Sequence, residues 1–265
     1  MGSILYGPVS SWRLGRSMGV DMLSSQQKLC SFDCVYCQLG STVRPMARRK
    51  EFASLEQLKG ELKTLPSIEV DYATFSGMGE PTLASNLGEA IELVRSCMQV
   101  PVAVLTNSSL MLRQDVRDEL GQADVVIAKL DAADEALFRQ INRPRIRCRF
   151  SEILEAIKLF RDNYRGKLAI TTMFITANKD SATAMARLVR GLSPDEVQIN
   201  TPLRPCAVKP LPPEEIAEIR SAFSGLEGVV TVYQASPPVV RPIDVVETAR
   251  RRPEFHSEEA RGQVL

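Results

Sequence analysis

Short apolar runs alternate with stretches of helical spacing along most of this chain, and that alternation constrains the fold more than any other feature. The runs predict strands at Gly19–Leu23, Asp71–Phe75, Val102–Leu105, Asp124–Leu130, Leu168–Ile175, Glu196–Ile199 and Val229–Tyr233. Between them, the spacing predicts helices over Leu55–Leu65, Leu87–Met98, Arg113–Gln122, Phe150–Asn163, Ser181–Gly191 and Pro213–Phe223. Gly166 and Pro194 each follow a helix and act as stop signals. Strands separated by helices of that length need crossover connections, so the sheet is expected to be parallel. A full or partial barrel and an open doubly wound layer both satisfy the pattern. In either one, functional loops lie beyond the carboxyl ends of the strands.

With 265 residues and 44% hydrophobic content, one barrel-sized domain is expected. The 33 basic and 32 acidic residues nearly cancel, so no global field favours nucleic acid or an anionic membrane, and any such partner would use a local patch. The first twenty residues carry Arg13 and Arg16 and no long apolar run, so neither a signal peptide nor a membrane anchor is expected. A cytoplasmic location and no membrane partner follow. The stretch from Arg251 to Leu265 is polar and contains a breaker, and is expected to be a frayed tail.

Six cysteines at uneven spacing do not form a secreted disulfide framework. Cys97, Cys148 and Cys206 stand alone and read as packed, inert thiols. Cys30, Cys34 and Cys37 instead fall within one short segment, C-x3-C-x2-C, on a loop just after the first strand. A loop can wrap three thiolates around one site, and three protein ligands leave a cubane cluster with an open coordination position. Structural zinc would want a fourth ligand nearby, but the only histidine, His256, is in the tail. Ligand number and softness therefore favour iron–sulfur.

The spacing, with Tyr36 just before the third cysteine, resembles the signature of the radical S-adenosylmethionine superfamily. The segments GPVSSWRLGRSMGVD, CSFDCVYCQLG, SGMGEPTL, VLTNSSL, KLDA and INRP, in that order, are similar to an iron–sulfur oxidoreductase group related to the wybutosine-synthesis tRNA enzymes. The resemblance implies an α/β fold, a full or partial (β/α)6 barrel of parallel strands over residues 1–240, with a C-terminal helix and tail over 241–265. It implies a 4Fe–4S cluster on Cys30, Cys34 and Cys37, whose open iron chelates S-adenosylmethionine. An electron would then cleave the carbon–sulfur bond to give a 5′-deoxyadenosyl radical that abstracts hydrogen from a substrate. The reaction would be of oxidoreductase or transferase type.

Similar enzymes place an aromatic such as Tyr36 beside the adenine, and a segment such as Gly77-Met78-Gly79-Glu80 beside the methionine amino group. On local pattern the glycines admit close backbone approach to a ligand, or they make an ordinary turn. Asn107, Ser109 and Asp131 suit a ribose and a carboxylate, and serve equally as caps or turn residues. Arg13, Arg16 and Arg204 are expected to face the barrel mouth. The alternating Arg143, Arg145, Arg147 and Arg149 read as solvated surface. The chain has no room for the fused flavodoxin-like domain of eukaryotic relatives, so a separate flavodoxin or ferredoxin is the expected reductant. It also lacks the second cysteine cluster of the tRNA enzymes and the cobalamin-holding domains of methyltransferase relatives, and Trp12 stands where the group is expected to carry arginine. RNA, peptide and small-molecule substrates all stay open. The competing function is a non-catalytic iron–sulfur electron carrier or a metal-stabilised binding protein.

Overall fold

Strand β1 (Leu5–Ser11) folds back on β2 (Gly15–Val20) as an antiparallel hairpin that starts the main sheet. The structure, a computed structural model, describes residues 2–254. A two-stranded ladder of β3 (Leu29–Cys30) and β4 (Arg44–Pro45) follows. The chain then alternates through α1 (Leu55–Thr64), β5 (Tyr72–Phe75), α2 (Leu87–Met98), β6 (Val102–Thr106), α3 (Gln114–Leu120), β7 (Val125–Lys129), α4 (Glu135–Ile141) and α5 (Phe150–Asn163). It continues through β8 (Lys167–Met173), α6 (Ala182–Leu192), β9 (Glu196–Asn200), α7 (Pro213–Ala222), β10 (Val229–Thr231) and α8 (Val245–Arg251). The strand order β1-β2-β5-β6-β7-β8-β9-β10 puts β1 and β10 at the two edges of the sheet. Strands β2 and β5 to β9, each followed by helix, make the six β/α units of a partial barrel, and β10 adds a short seventh parallel strand.

Side chains alternate across the pleat and decide what the sheet can do. Val102 and Val104 of β6, Val126 and Ala128 of β7, and Leu168 and Ile170 of β8 join the large core under the helices. Their neighbours Ala103, Val125, Ile127 and Ala169 pack with Leu14 of the hairpin turn on the other, concave face. Leu14 thus fills the amino-terminal end of the half-barrel. Further along the strands the same parity brings Asn107, Lys129 and Thr171 to the carboxyl end.

The helices begin where local chemistry directs. Ser54 caps α1 by accepting from the Gln57 amide at 3.1 Å, Asp134 caps α4 from Leu137 at 2.8 Å, and Pro213 opens α7. Four elements have no counterpart among the expected strands and helices: β1, β3, β4 and α4. Strand β1 carries Pro8, which is tolerated there because β1 is an edge strand. Helix α4 is too short, at 7 residues, to show a helical period. Among the described residues, no helix is long and apolar enough to cross a membrane.

Candidate functional site

The concave face opens into a cavity of about 540 Å³, lined by the cysteine loop, the segment after β5, the ends of β6 to β9 and the C-terminal segment. Of the residues singled out from the sequence, Cys30, Cys34, Cys37, Tyr36, Gly77, Gly79, Glu80, Asn107 and Asp131 all line it, and Ser109 does not.

Main-chain bonds hold the cysteine loop on both sides. The Leu29 amide donates to the Met78 carbonyl at 2.8 Å, and the Glu80 amide donates back to the Leu29 carbonyl at 3.0 Å. On the other side, the amides of Asp33 and Val35 donate to the carbonyls of Asn142 and Ile141 at 3.1 and 3.0 Å, and the Arg145 amide donates to the Ser31 carbonyl at 2.9 Å. The Cys37 amide donates to the Cys34 carbonyl at 3.1 Å, closing a turn between these two cysteines. The INRP segment therefore acts as a clamp on the loop.

The surroundings of the three sulfurs fit an anionic sulfur cluster. Asn107 and Asn142 direct their side-chain amides at Cys30 Sγ and Cys34 Sγ, at 3.5 and 3.6 Å. Burial works against the charge on Lys129, yet Cys34, Cys37 and Cys30 in their ionised form, together with Asp131, hold its ammonium above the usual lysine range. Burial, with Cys34 and Glu80 close by, pushes the Cys30 thiol up to about 12, and burial raises Cys34 as well. Such side chains stay protonated unless a cation replaces the proton, as a bound metal does. Among the described residues, no three Cys, His, Asp or Glu side chains close on a single-ion site.

Glu80 and Asp131 are the two acids held near the sulfurs. Glu80 Oε1 accepts from Thr82 Oγ1 and Thr106 Oγ1, both at 2.7 Å, whereas among the described residues Oε2 accepts only the Asn107 amide, at 2.7 Å. A carboxylate oxygen has room for another donor. Burial raises the Glu80 carboxyl, against the bonds from Asn107, Thr82 and Thr106, so a cation in the cavity would relieve an uncompensated charge. Asp131 is held by three donors: Oδ1 accepts the Met173 amide at 2.8 Å, and Oδ2 accepts Asn142 Nδ2 at 2.7 Å and the Tyr36 hydroxyl, so Oδ2 is filled while Oδ1, like Glu80 Oε2, keeps room for another donor. It positions the Tyr36 ring, over which Lys129 Nζ lies at 5.0 Å. Ser109 turns away to share a 2.7 Å hydrogen bond with Ser31 Oγ, and its amide donates to Asn107 Oδ1 at 2.9 Å.

The glycines are required by the protein's own atoms. A Cβ on Gly79, at φ +157°, would sit 1.6 Å from the Leu29 carbonyl oxygen, and one on Gly77, at φ +152°, would sit 2.3 Å from Asp21 Cγ. Both residues line the cavity, but the close approach they permit is to the cysteine loop and to Asp21.

Two expectations are corrected. Arg16 does not face the mouth: its Nη2 binds Asp71 Oδ1 at 2.7 Å, and it pairs with Glu69, because it lies at the amino-terminal end of β2. Arg251 is no part of a frayed tail, being 1% exposed and paired with Asp21; residues 255–265, His256 included, lie outside the described residues. Arg13 and Arg204 do line the cavity, and the arginines from 143 to 149 are exposed. Cys206 packs in a small apolar cluster with Tyr36, alongside Cys34, a proximity that its isolation in sequence conceals. Asn142 is visible in the sequence only as part of INRP, with no role of its own.

The Radical SAM superfamily model matches residues 25–189. The chain is 39% identical over 236 residues to a UPF0026 protein of Methanocaldococcus jannaschii, covering 85% of this chain and 73% of that one. A UPF0026 protein of Synechocystis is 39% identical over 208 residues, covering 78% and 77%. Among solved structures, TYW1 with a lysine-pyruvate adduct bound superposes with TM-score 0.61 at 17% identity, over 78% of this chain and 72% of that one. Streptococcus suis SuiB bound to S-adenosylmethionine superposes with TM-score 0.60 at 13% identity, over 78% of this chain and 48% of SuiB, so the chain spans about half of that protein. At these identities the two structures speak for a shared fold.

Proposed function

The chain belongs to the radical SAM superfamily, and on that premise we propose that Cys30, Cys34 and Cys37 hold a 4Fe–4S cluster whose open iron takes S-adenosylmethionine. The observation that carries this reading is the convergence of three thiols, the Asn107 side-chain amide and the Lys129 ammonium on the lining of one cavity, with the Asn142 amide directed at Cys34 Sγ. When bound, the cluster and S-adenosylmethionine supply one-electron cleavage of the sulfonium carbon–sulfur bond and a 5′-deoxyadenosyl radical for hydrogen abstraction. The reaction outcome, oxidoreductase or transferase, follows from the substrate.

The chain's own groups bind and orient. Oε2 of Glu80 offers a free acceptor site to the methionine ammonium. Tyr36, held by Asp131, offers its ring to the adenine, and Gly77 and Gly79 line the same cavity. Asn107 links the two parts, its amide on Glu80 and its side chain on Ser31 and Cys30, and Ser109 fixes that side chain from behind. A separate flavodoxin or ferredoxin supplies the electron, and the substrate is a small molecule, a peptide or an RNA.

Anaerobic reconstitution tests the reading. The wild-type protein should take up iron and sulfide, show broad visible absorbance and release 5′-deoxyadenosine from S-adenosylmethionine with dithionite, and Cys34→Ala should lose both together. Cleavage that persists in Cys34→Ala without the cluster would refute the ligand assignment.

A further inference from the structure

Three arginines from distant parts of the chain line the same cavity: Arg13 in the turn between β1 and β2, Arg204 after β9, and Arg252 directly after α8. The Arg13 guanidinium lies 4.4 Å above the Trp12 ring, and its Nη2 reaches Thr171 Oγ1 at 3.4 Å. Its Nε is buried without a partner among the described residues. Neighbouring Arg251 shows the contrast, since Asp21 and Glu247 pair it fully, whereas none of the ion pairs among the described residues involves Arg13, Arg204 or Arg252. The acids that face them are Glu196, which is engaged by Lys167 at 2.6 Å, and the exposed Glu254. Burial, reinforced by Arg252 and Arg204, brings the Arg13 guanidinium down to about 9, and burial with Arg252 brings Arg204 down to about 10. Both remain protonated at neutral pH, so like charges crowd together with little among the described residues to offset them.

We infer that the wall formed by Arg13, Arg204 and Arg252 recognises a dianionic phosphate group on the substrate. Guanidinium forks match the oxygens of a phosphate in geometry, and three of them carry more charge and more donors than a single carboxylate can satisfy. The buried, unpartnered Nε of Arg13 is the kind of donor that costs free energy until an acceptor arrives. Stacking on Trp12 holds the Arg13 plane in place before the ligand binds. A cavity of about 540 Å³ that also accommodates S-adenosylmethionine suits a small phosphorylated molecule. This inference rests on the cavity being the active site proposed above and names the substrate class it takes.

Trp12 is the only tryptophan in the chain, so its fluorescence reports on this wall directly. Titration of the full-length protein with inorganic phosphate at constant ionic strength should change that fluorescence saturably. Arg13→Gln and Arg204→Gln should each weaken binding about tenfold or more, while Arg147→Gln, an exposed arginine outside the cavity, should leave it unchanged. Malonate and acetate should bind more weakly than phosphate. Absence of a saturable response, malonate binding as tightly as phosphate, or a parallel loss of S-adenosylmethionine affinity in Arg13→Gln would each overturn the assignment, the last by giving the wall to the cofactor's own carboxylate. Visible absorbance of reconstituted samples, recorded for every variant, reads the cluster separately, so a protein that fails to take up iron counts against the proposed function while its phosphate titration still decides this inference.

Discussion

Arg251 Nε donates to Asp21 Oδ2 at 2.8 Å across 230 residues of sequence, and both side chains are almost fully excluded from solvent. The same carboxylate accepts the amides of Met78 and Leu23, each at 3.2 Å, and fills the space beside Gly77. Arg251 adds Glu247 Oε2 at 2.6 Å and the Ser3 carbonyl, with its guanidinium 5.0 Å from the Tyr6 ring centre. The pair thus ties the last helix to the edge of the sheet and to the glycine segment of the cavity. Breaking it from one side strands a buried charge: we expect Arg251→Met to lose about 3–5 kcal/mol in urea unfolding. The double variant Arg251→Met/Asp21→Asn should recover part of that loss. A single-variant cost no larger than an exposed ion pair's would show that Asp21 finds water or another partner.

Two glycine substitutions should move stability in opposite directions. Gly79→Ala must displace the Leu29 carbonyl, which the Glu80 amide uses at 3.0 Å, so it disturbs the strand that leads into Cys30. A loss of about 2–4 kcal/mol is expected, measured by thermal unfolding, with iron uptake reduced as well. Gly60 lies within α1, where an added Cβ would meet nothing within 4 Å, so Gly60→Ala should stabilise by about 0.5–1 kcal/mol.

These features show which parts of the molecule are legible in a sequence. The apolar runs make β6, β7 and β8 legible as strands, but not which face holds Asn107 and Lys129, because both faces of these strands are buried and the runs do not alternate. The three cysteines are legible because one short loop holds them all. Gly77 and Gly79 are legible as necessary glycines but not for the right reason, since Asp21 and Leu29 lie far earlier in the chain. Arg251 is illegible for the same cause in stronger form: a lone arginine in a polar stretch looks solvated until Asp21, at the end of a different element, closes over it. Strand β1 is not expected from the sequence, and nothing local says that Pro8 lies on a strand at the sheet edge, where Ile243 and Thr248 from the far end of the chain bond Gly7. Asp131 reads in sequence as a ligand contact or a turn residue, and only the three-dimensional arrangement reveals that it also holds Tyr36, Asn142 and the Met173 amide.

Acid should weaken the amino-terminal end of the barrel through Asp71. Its carboxylate accepts the Arg16 amide at 2.7 Å and two guanidinium bonds at 2.7 and 3.1 Å. Hydrogen bonds from Arg16 hold the Asp71 carboxyl down to about 2. A group depressed in the folded state contributes stability above its unfolded value, near 4 for aspartate, and loses that contribution as pH falls toward its folded value. Wild-type stability, followed by circular dichroism, should therefore drop between about pH 4 and pH 2 more steeply than that of Asp71→Asn, which has no such proton to take up. Identical slopes for the two proteins across this range would remove Asp71 from the account.

Asn142 offers the sharpest test of how the clamp and the cluster site are coupled. Its Nδ2 lies 2.7 Å from Asp131 Oδ2, 3.5 Å from the Tyr36 hydroxyl and 3.6 Å from Cys34 Sγ. Replacing it by alanine removes one donor from a buried carboxylate, at a cost of about 1–3 kcal/mol, and removes an amide directed at sulfur. Hydrogen bonds to cluster sulfurs favour the reduced state, whose negative charge is greater. Asn142→Ala should therefore still assemble a cluster on Cys30, Cys34 and Cys37, but with a more negative reduction potential in anaerobic voltammetry, and should cleave S-adenosylmethionine more slowly with a weak reductant than with a strong one. Asn142→Asp separates the two roles: it adds a second acid beside Asp131, so the damage to stability should exceed that of alanine at neutral pH and shrink as the pH is lowered. An unchanged potential in Asn142→Ala, with stability lost as expected, would leave the residue a purely structural clamp of Asp131 and Tyr36.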